Sequence, residues 1–132
     1  MSERFDFHTH TVASDGALSP TELARAAAAN RVTAFALTDH DTIDGIAEAQ
    51  SEGRKLGVEV IAGIELSVND CDGTRSLHVL GLGISPDDER LRARLDLARH
   101  GRQSRAARMV ARLREIGIGI GYARVDEIAD RR

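Results

Sequence analysis

The chain has 132 residues, 30% of them charged and 3% aromatic, with no tryptophan, one cysteine and a formal net charge of -3. One thiol excludes an internal disulfide framework, and no apolar run approaches the length of a signal sequence or membrane span; the expectation is an ordinary cytoplasmic α/β protein with a core of Ala, Leu, Ile and Val. The length suits one modest domain and falls far short of the roughly 250 residues of a complete (β/α)8 barrel.

Charge is unevenly spread. Residues up to Ile84 carry 6 basic and 13 acidic groups and those after it 12 and 8, so the two parts stand at -7 and +4. An acidic part with histidines suits cations, whereas the Arg-rich part reads first as a solvated helix face and second as a surface for an anion.

The first strand is expected over Phe5-Asp6-Phe7-His8-Thr9-His10. Alternation puts Phe5, Phe7 and Thr9 on one side, to pack under a helix, and Asp6, His8 and His10 on the other, where two imidazoles can grip one ion together. Thr11 to Leu18 reads as a loop around Ser14-Asp15-Gly16. Ser19-Pro20-Thr21-Glu22 then announces a helix: Ser19 caps, Pro20 takes the first helical position and Glu22 completes a capping box. Leu23, Ala26 and Ala27 are its expected buried stripe and Asn30 its end. Ala34 to Thr38 is a short apolar run typical of a strand buried on both faces, with Asp39-His40-Asp41 at its C-terminal end.

A second helix is expected from a cap at Thr42 through Ile43, Ile46, Ala47 and Gln50 to Leu56, ended by a left-handed Gly57. Glu59 to Glu65 reads as a strand rich in β-branched residues that finishes on a carboxylate, and Asn69 to Gly73 as a turn. Cys71 in that turn has no partner at zinc-site spacing and reads as incidental. Ser76 to Ile84 is the fourth strand. Ser85-Pro86, with Asp88 in the place of Glu22, predicts another cap. Beyond it, Leu91, Leu95, Ala98, Met109, Val110, Leu113 and Ile116 space out a long helical region, divided near Gly101 and stopped at Gly117. Arg99, Arg102, Arg105, Arg108 and Arg112 fall along one side of it, the first three being candidates for a substrate phosphate. A weak helix from Val125 completes the chain.

This alternation argues for parallel strands joined by right-handed helical crossovers, with the site at the strand C-termini. His8, His10, His40 and His78 lie at or near those ends, with Asp15, Asp39, Asp41 and Glu65; His100 sits apart in the Arg-rich helix and reads as a surface residue. Imidazole with carboxylate and no thiolate suits Zn, Mn or Fe. A mononuclear hydrolytic site needs about three protein ligands, so this many implies two or more ions, a common arrangement for hydrolysing phosphate esters.

FDFHTHTVASDG, LTDHD, GIELS and HVLGLGI, in that order, resemble the N-terminal motifs of the PHP (polymerase and histidinol phosphatase) superfamily. The wording HTHTVASDGALSP is most similar to its stand-alone phosphoesterases, among them nucleoside 3',5'-bisphosphate phosphatases and 5'-to-3' exoribonucleases acting on short RNA. The resemblance implies a partial (β/α)7 PHP-type barrel in residues 1–84 and, in 85–132, an Arg-rich helical segment leading toward the family's insertion. By position, His8 and His10 would hold one ion, Glu65 would bridge two, His78 would hold the second, and Asp15 and His40 a third. Asp39 and Asp41 would orient His40 or its neighbours. The cofactors implied are two or three divalent ions per complete site, and the substrate a phosphorylated small molecule or short nucleic acid, with no membrane partner.

Family members return further ligands in an Ala-His-Pro-like and an Asp-x-His-like motif, and this chain contains neither. The expectation is weak metal binding, activity far below that of a full-length relative, and an exposed barrel edge that invites self-association. The alternatives are a non-catalytic metal-binding or structural fragment, and a histidinol-phosphatase-like or polymerase-associated PHP domain.

Overall fold

In the computed structural model, which describes residues 3–70, 72–73 and 75–129, the chain runs β1 (Phe5–Thr9), α1 (Pro20–Ala29), β2 (Ala34–Leu37), α2 (Ile46–Leu56), β3 (Glu59–Asn69), β4 (Ser76–Leu82), α3 (Glu89–Glu115) and α4 (Tyr122–Ala129). Cys71 lies outside the described residues. The chain divides into two compact units, Met1–Glu89 and Arg90–Arg132.

The first unit is a partial α/β barrel: one sheet in the order β1-β2-β3-β4, with α1 and α2 as crossovers between parallel neighbours. All four residues of β2 are buried, as a strand with no polar face requires. The fourth strand departs from the parallel expectation. β4 pairs antiparallel with β3, from Gly63↔Leu82 to Asn69↔Ser76, because the short link between them leaves no room for a crossover of a dozen or more residues.

Both halves of the capping box form on α1: Ser19 Oγ accepts from Glu22 N at 3.2 Å, and Glu22 Oε2 accepts from Ser19 N at 2.8 Å. The helix closes at Asn30, after which Arg31 takes a left-handed φ of 58° and Val32 N donates to Ala27 O. Its buried residues are Pro20, Ala24 and Ala27, with Leu23 packed partly against the core. Thr42 does not cap α2; its Oγ1 accepts from Asp44 N in a tight turn, and the helix starts after Gly45. A Cβ on Gly45 would lie 2.9 Å from Pro20 Cγ, so glycine lets the start of α2 approach α1. Gly57 ends α2 in the left-handed conformation, as expected.

Ala24 and Ala27 of α1, Ile46 and Ala49 of α2, Phe35 and Leu37 of β2, and Val58 and Ala62 make the core. Its large members are each worth roughly 1.5–3 kcal/mol on burial, and the alanines let the helices sit close to the sheet. Phe5 and Phe7 are not in it. They stack on each other at 5.8 Å and stay 53% and 43% exposed, against the expectation of a helix above them. β1 is an edge strand, and the core lies over β2 and β3.

In the second unit α3 is one helix, undivided at Gly101. Ser85-Pro86 does not open it; Asp88 N donates to Ser85 O in a turn, and the helix starts at Glu89. Gly117, at φ 87°, stops the region as expected: Ile118 N donates to Leu113 O and Gly117 N to Arg114 O, the paired bonds of a Schellman cap. Leu95 and Val110 are buried, whereas Met109 and Ile116 are exposed. α4 begins at Tyr122, ahead of Val125. No helix among the described residues is long and apolar enough to cross a membrane.

Candidate metal centre

The ends of β1 and β2 are stitched by two threonines. Thr9 Oγ1 donates to Ala36 O at 2.7 Å, and Thr38 Oγ1 accepts from Thr9 N and donates to Thr9 O. These bonds secure the pairing where the β1–β2 register shifts between Asp6 and Thr9, and they set His8 and His10 beside His40. On the other side of His40 the chain pairs with β3: Glu65 N donates to Asp39 O, and Asp41 N to Glu65 O. β4 brings His78 opposite Ser67, diagonal to Glu65. The loop after β1 brings Asp15.

Glu65 is the centre of the group. Its Oε2 lies 2.9 Å from His8 Nε2, 3.1 Å from His10 Nε2 and 3.6 Å from His40 Nε2, and its Oε1 lies 2.9 Å from His78 Nδ1. Asp15 faces the same space, 3.4 Å from His10 Nδ1 and 3.6 Å from His40 Nε2. The imidazoles follow one another in a row, with ring centroids 5.0 Å apart for His8–His10 and 4.8 Å for both His10–His40 and His40–His78. Burial pushes the Glu65 carboxyl up, but the hydrogen bond from His8 and the charges of His40, His8 and His10 outweigh it, so Glu65 ionises below the ordinary carboxylate range.

Three trios offer ligand atoms within 4.8 Å of one another: His8, His10 and Glu65; His10, Asp15 and His40; His40, Glu65 and His78. A divalent cation fits this set. Nδ1 of His10 and Nδ1 of His40 are buried without a hydrogen-bond partner, and imidazole with carboxylate is a donor set for borderline cations. The trios overlap, however, and a neutral imidazole has one lone pair to give, so His10 and His40 can each serve a single ion.

The structure thus gathers His8, His10, Asp15, His40, Glu65 and His78. Asp39 and Asp41 are buried beside them, but neither orients His40 through Nδ1, which has no partner; Asp39 instead accepts from Thr11 and Ser14, and Asp41 Oδ1 accepts from Ser67 N at 2.9 Å. Thr11, Ser14 and Ser67 escaped the sequence reading, since only a hydroxyl or amide in a loop or strand marks them. Arg99, Arg102 and Arg105 lie on α3 in the second unit, and Arg99 and Arg102 have partners of their own. His100 Nδ1 lies 2.7 Å from Asp96 O one turn back on the same helix.

Histidines and carboxylates gathered in overlapping trios, at or just past the ends of β1 and β2 and within β3 and β4, define an α/β protein with a site for divalent metal. The chain belongs to the PHP family: the family model described as PHP domain matches residues 6–90. It is 39% identical over 130 residues to the 5'-3' exoribonuclease of Haemophilus influenzae, covering 98% of this chain and 47% of that relative. It is 43% identical over 113 residues to the 3',5'-nucleoside bisphosphate phosphatase of Chromobacterium violaceum, covering 86% and 39%. A solved structure from Bifidobacterium adolescentis, provisionally described as a metal-dependent phosphoesterase, matches with a TM-score of 0.75 and 31% identity over 87% of this chain and 40% of that one. The chain spans less than half the length of these relatives.

Proposed function

We propose that this chain is the metal-binding part of a phosphoesterase that hydrolyses phosphate esters of nucleotides or short oligonucleotides. The observation that carries the reading is the meeting of four histidines on the carboxylate of Glu65, with Asp15 closing the row. The names of its relatives, an exoribonuclease and a nucleoside bisphosphate phosphatase, support the substrate class. A donor set of imidazole and carboxylate supports Mn, Zn or Fe, and a single cysteine in the sequence fits the cytoplasm.

Bound divalent ions supply a water of lowered pKa and charge stabilisation on the phosphoryl oxygens. The chain's own residues set the geometry. Glu65, kept anionic, offers its two oxygens to different sides of the cluster, Oε2 toward His8, His10 and His40 and Oε1 toward His78. His8 and His78, each with a half-exposed side chain, leave the cluster open to an entering phosphate.

The sharing of His10 and His40 between trios favours a second point, that this chain alone binds metal weakly and turns over slowly. The test is titration of the 132-residue chain with Mn(II), Zn(II) or Fe(II), followed by assay on a nucleoside 3',5'-bisphosphate and a short 5'-phosphorylated RNA. The expected result is weak uptake, slow phosphate release that a chelator abolishes, and loss of both on Glu65→Ala. No uptake of any of the three ions would overturn the reading, and full activity would show that no further ligands are required. The proposal includes self-association through the sheet edges, where Phe5 and Phe7 on β1 and Leu77, Val79, Leu80 and Leu82 on β4 are exposed. Light scattering showing a strict monomer at all concentrations would remove that part.

A further inference from the structure

Asp39 is one of the least exposed carboxylates in the chain, at 2%, and the bonds it accepts lead away from the imidazole that follows it. Its Oδ1 accepts from Thr11 N at 2.7 Å and from Ser14 Oγ at 2.6 Å, and its Oδ2 accepts from Thr11 Oγ1 at 2.6 Å. Hydrogen bonds to an ionised acceptor are short and roughly twice as strong as neutral ones, so three of them to one loop make a firm anchor.

Thr11 passes the anchor on. It is fully buried, its Oγ1 also accepts from Ala13 N, and its carbonyl accepts from Ser14 N at 3.0 Å and Gly16 N at 2.9 Å. Asp15 is thereby held between two residues that are both tied to Thr11. Its own side chain is 67% exposed, and among the described residues its polar contacts are His10, His40 and Ser14 Oγ, the last at 3.3 Å. An exposed aspartate on an untethered loop would spread over several rotamers.

We propose that Asp39 is a positioning residue for Asp15: through Thr11 and Ser14 it fixes the loop that aims the Asp15 carboxylate at His10 and His40, and it is neither a metal ligand nor the orienter of His40. His40 follows Asp39 directly and faces the cluster, while the Asp39 carboxylate is taken up by the loop after β1. Two consecutive residues, Asp39 and His40, thus supply the anchor for a ligand on a different segment and a ligand. The inference rests on the metal reading above for its functional meaning, and on hydrogen bonding alone for the loop.

The test has two arms on the full 132-residue chain. In the metal-free protein, amide exchange at Ser14 and Gly16 speeds up in Asp39→Ala and Thr11→Val, while amides of β2 and β3 keep their protection. In Co(II) titrations, Asp39→Ala loses about 10–100-fold in affinity, the range typical of residues that support ligands. Asp15→Ala loses a similar factor, and the double variant loses no more than either single one, because both act through one carboxylate. Thr11→Val, which keeps the side-chain shape, serves if Asp39→Ala does not fold. Additive losses in the double variant, or unchanged exchange at Ser14 and Gly16, overturn the proposal. A wild-type chain that takes up no cobalt overturns the metal reading instead, and the exchange arm still decides whether Asp39 holds the loop.

Discussion

Glu48 Oε1 accepts from both the backbone N–H and the hydroxyl of Thr21, at 3.0 and 2.7 Å, so a side chain of α2 caps the first turn of α1. One turn further along each helix, Arg25 Nε donates to Glu52 Oε1 at 2.8 Å. The two crossovers are clamped to each other along one line, in addition to their shared core. Glu48→Ala is expected to destabilise the chain by about 0.5–2 kcal/mol, the range for a lost N-terminal cap. Thr21→Val removes one of the two bonds, and in urea unfolding the pair should show a coupling energy; strict additivity of the two variants would mean that the hydroxyl bond contributes nothing.

Acid should loosen the same clamp. The hydrogen bond from Lys55, then that from Arg25, holds the Glu52 carboxyl below its ordinary value of 4.5, against the upward push of burial. A depressed folded-state value contributes stability that is complete above 4.5 and disappears as pH falls through the folded value. The gap in unfolding free energy between wild type and Glu52→Gln should therefore be largest near neutrality and close in acid. A gap that stays constant down to the acid limit of folding would exclude Glu52 as a source of the pH dependence.

Gly16 leaves no room for a side chain. A Cβ there would lie 2.4 Å from the carbonyl oxygen of His10 and 2.7 Å from Thr11 N, both backbone atoms that cannot swing aside. Gly16→Ala should cost about 1–3 kcal/mol, as overpacking usually does, and should displace Asp15 from His10 and His40. Cobalt affinity and thermal unfolding measured together check this; an unchanged affinity would show that Asp15 adapts to a moved loop.

Gly101 is the opposite case. It sits exposed inside α3, and a Cβ would meet no heavy atom within 4 Å. Gly101→Ala should raise helix stability by about 1 kcal/mol, visible as increased helical circular dichroism on heating. A decrease would reveal a role for Gly101 that helix propensity does not describe.

The sequence pattern made some of this plain and hid the rest for physical reasons. A buried central strand shows itself as unbroken apolar residues, and β2 does so; the Ser19-Pro20-Thr21-Glu22 signal is local, and the box forms within those residues. His8 in β1 and His10 just past its end could be placed together because a strand repeats every second residue. Strand direction leaves no such mark: β4 has the composition of any strand, and only the short link before it shows that it turns back. Gly101 looked like a break because its cost is about 1 kcal/mol, which the rest of a 27-residue helix outweighs. Phe5 and Phe7 looked like core because apolar residues usually are, but whether a strand face is covered depends on elements elsewhere in the fold. The partners of Asp39 lie 28 and 25 residues back, beyond any periodicity.

The reversal of β4 also sets an order of assembly. Glu65 and His78 are joined by a hairpin alone and meet at 2.9 Å, whereas His8 must reach Glu65 across 57 residues. Hairpins close in about 1–10 μs, and contacts between distant segments form later because their loop entropy is larger. The β3–β4 pair is thus expected to present two donors while β1 is still undocked, giving a cation a foothold before the full row of imidazoles exists. During synthesis at about 5–20 residues per second, His8 and His10 wait several seconds for their partner carboxylate to be made. Pulsed hydrogen exchange during refolding should find β3–β4 amides protected ahead of those in β1; simultaneous protection would mean that the hairpin does not lead.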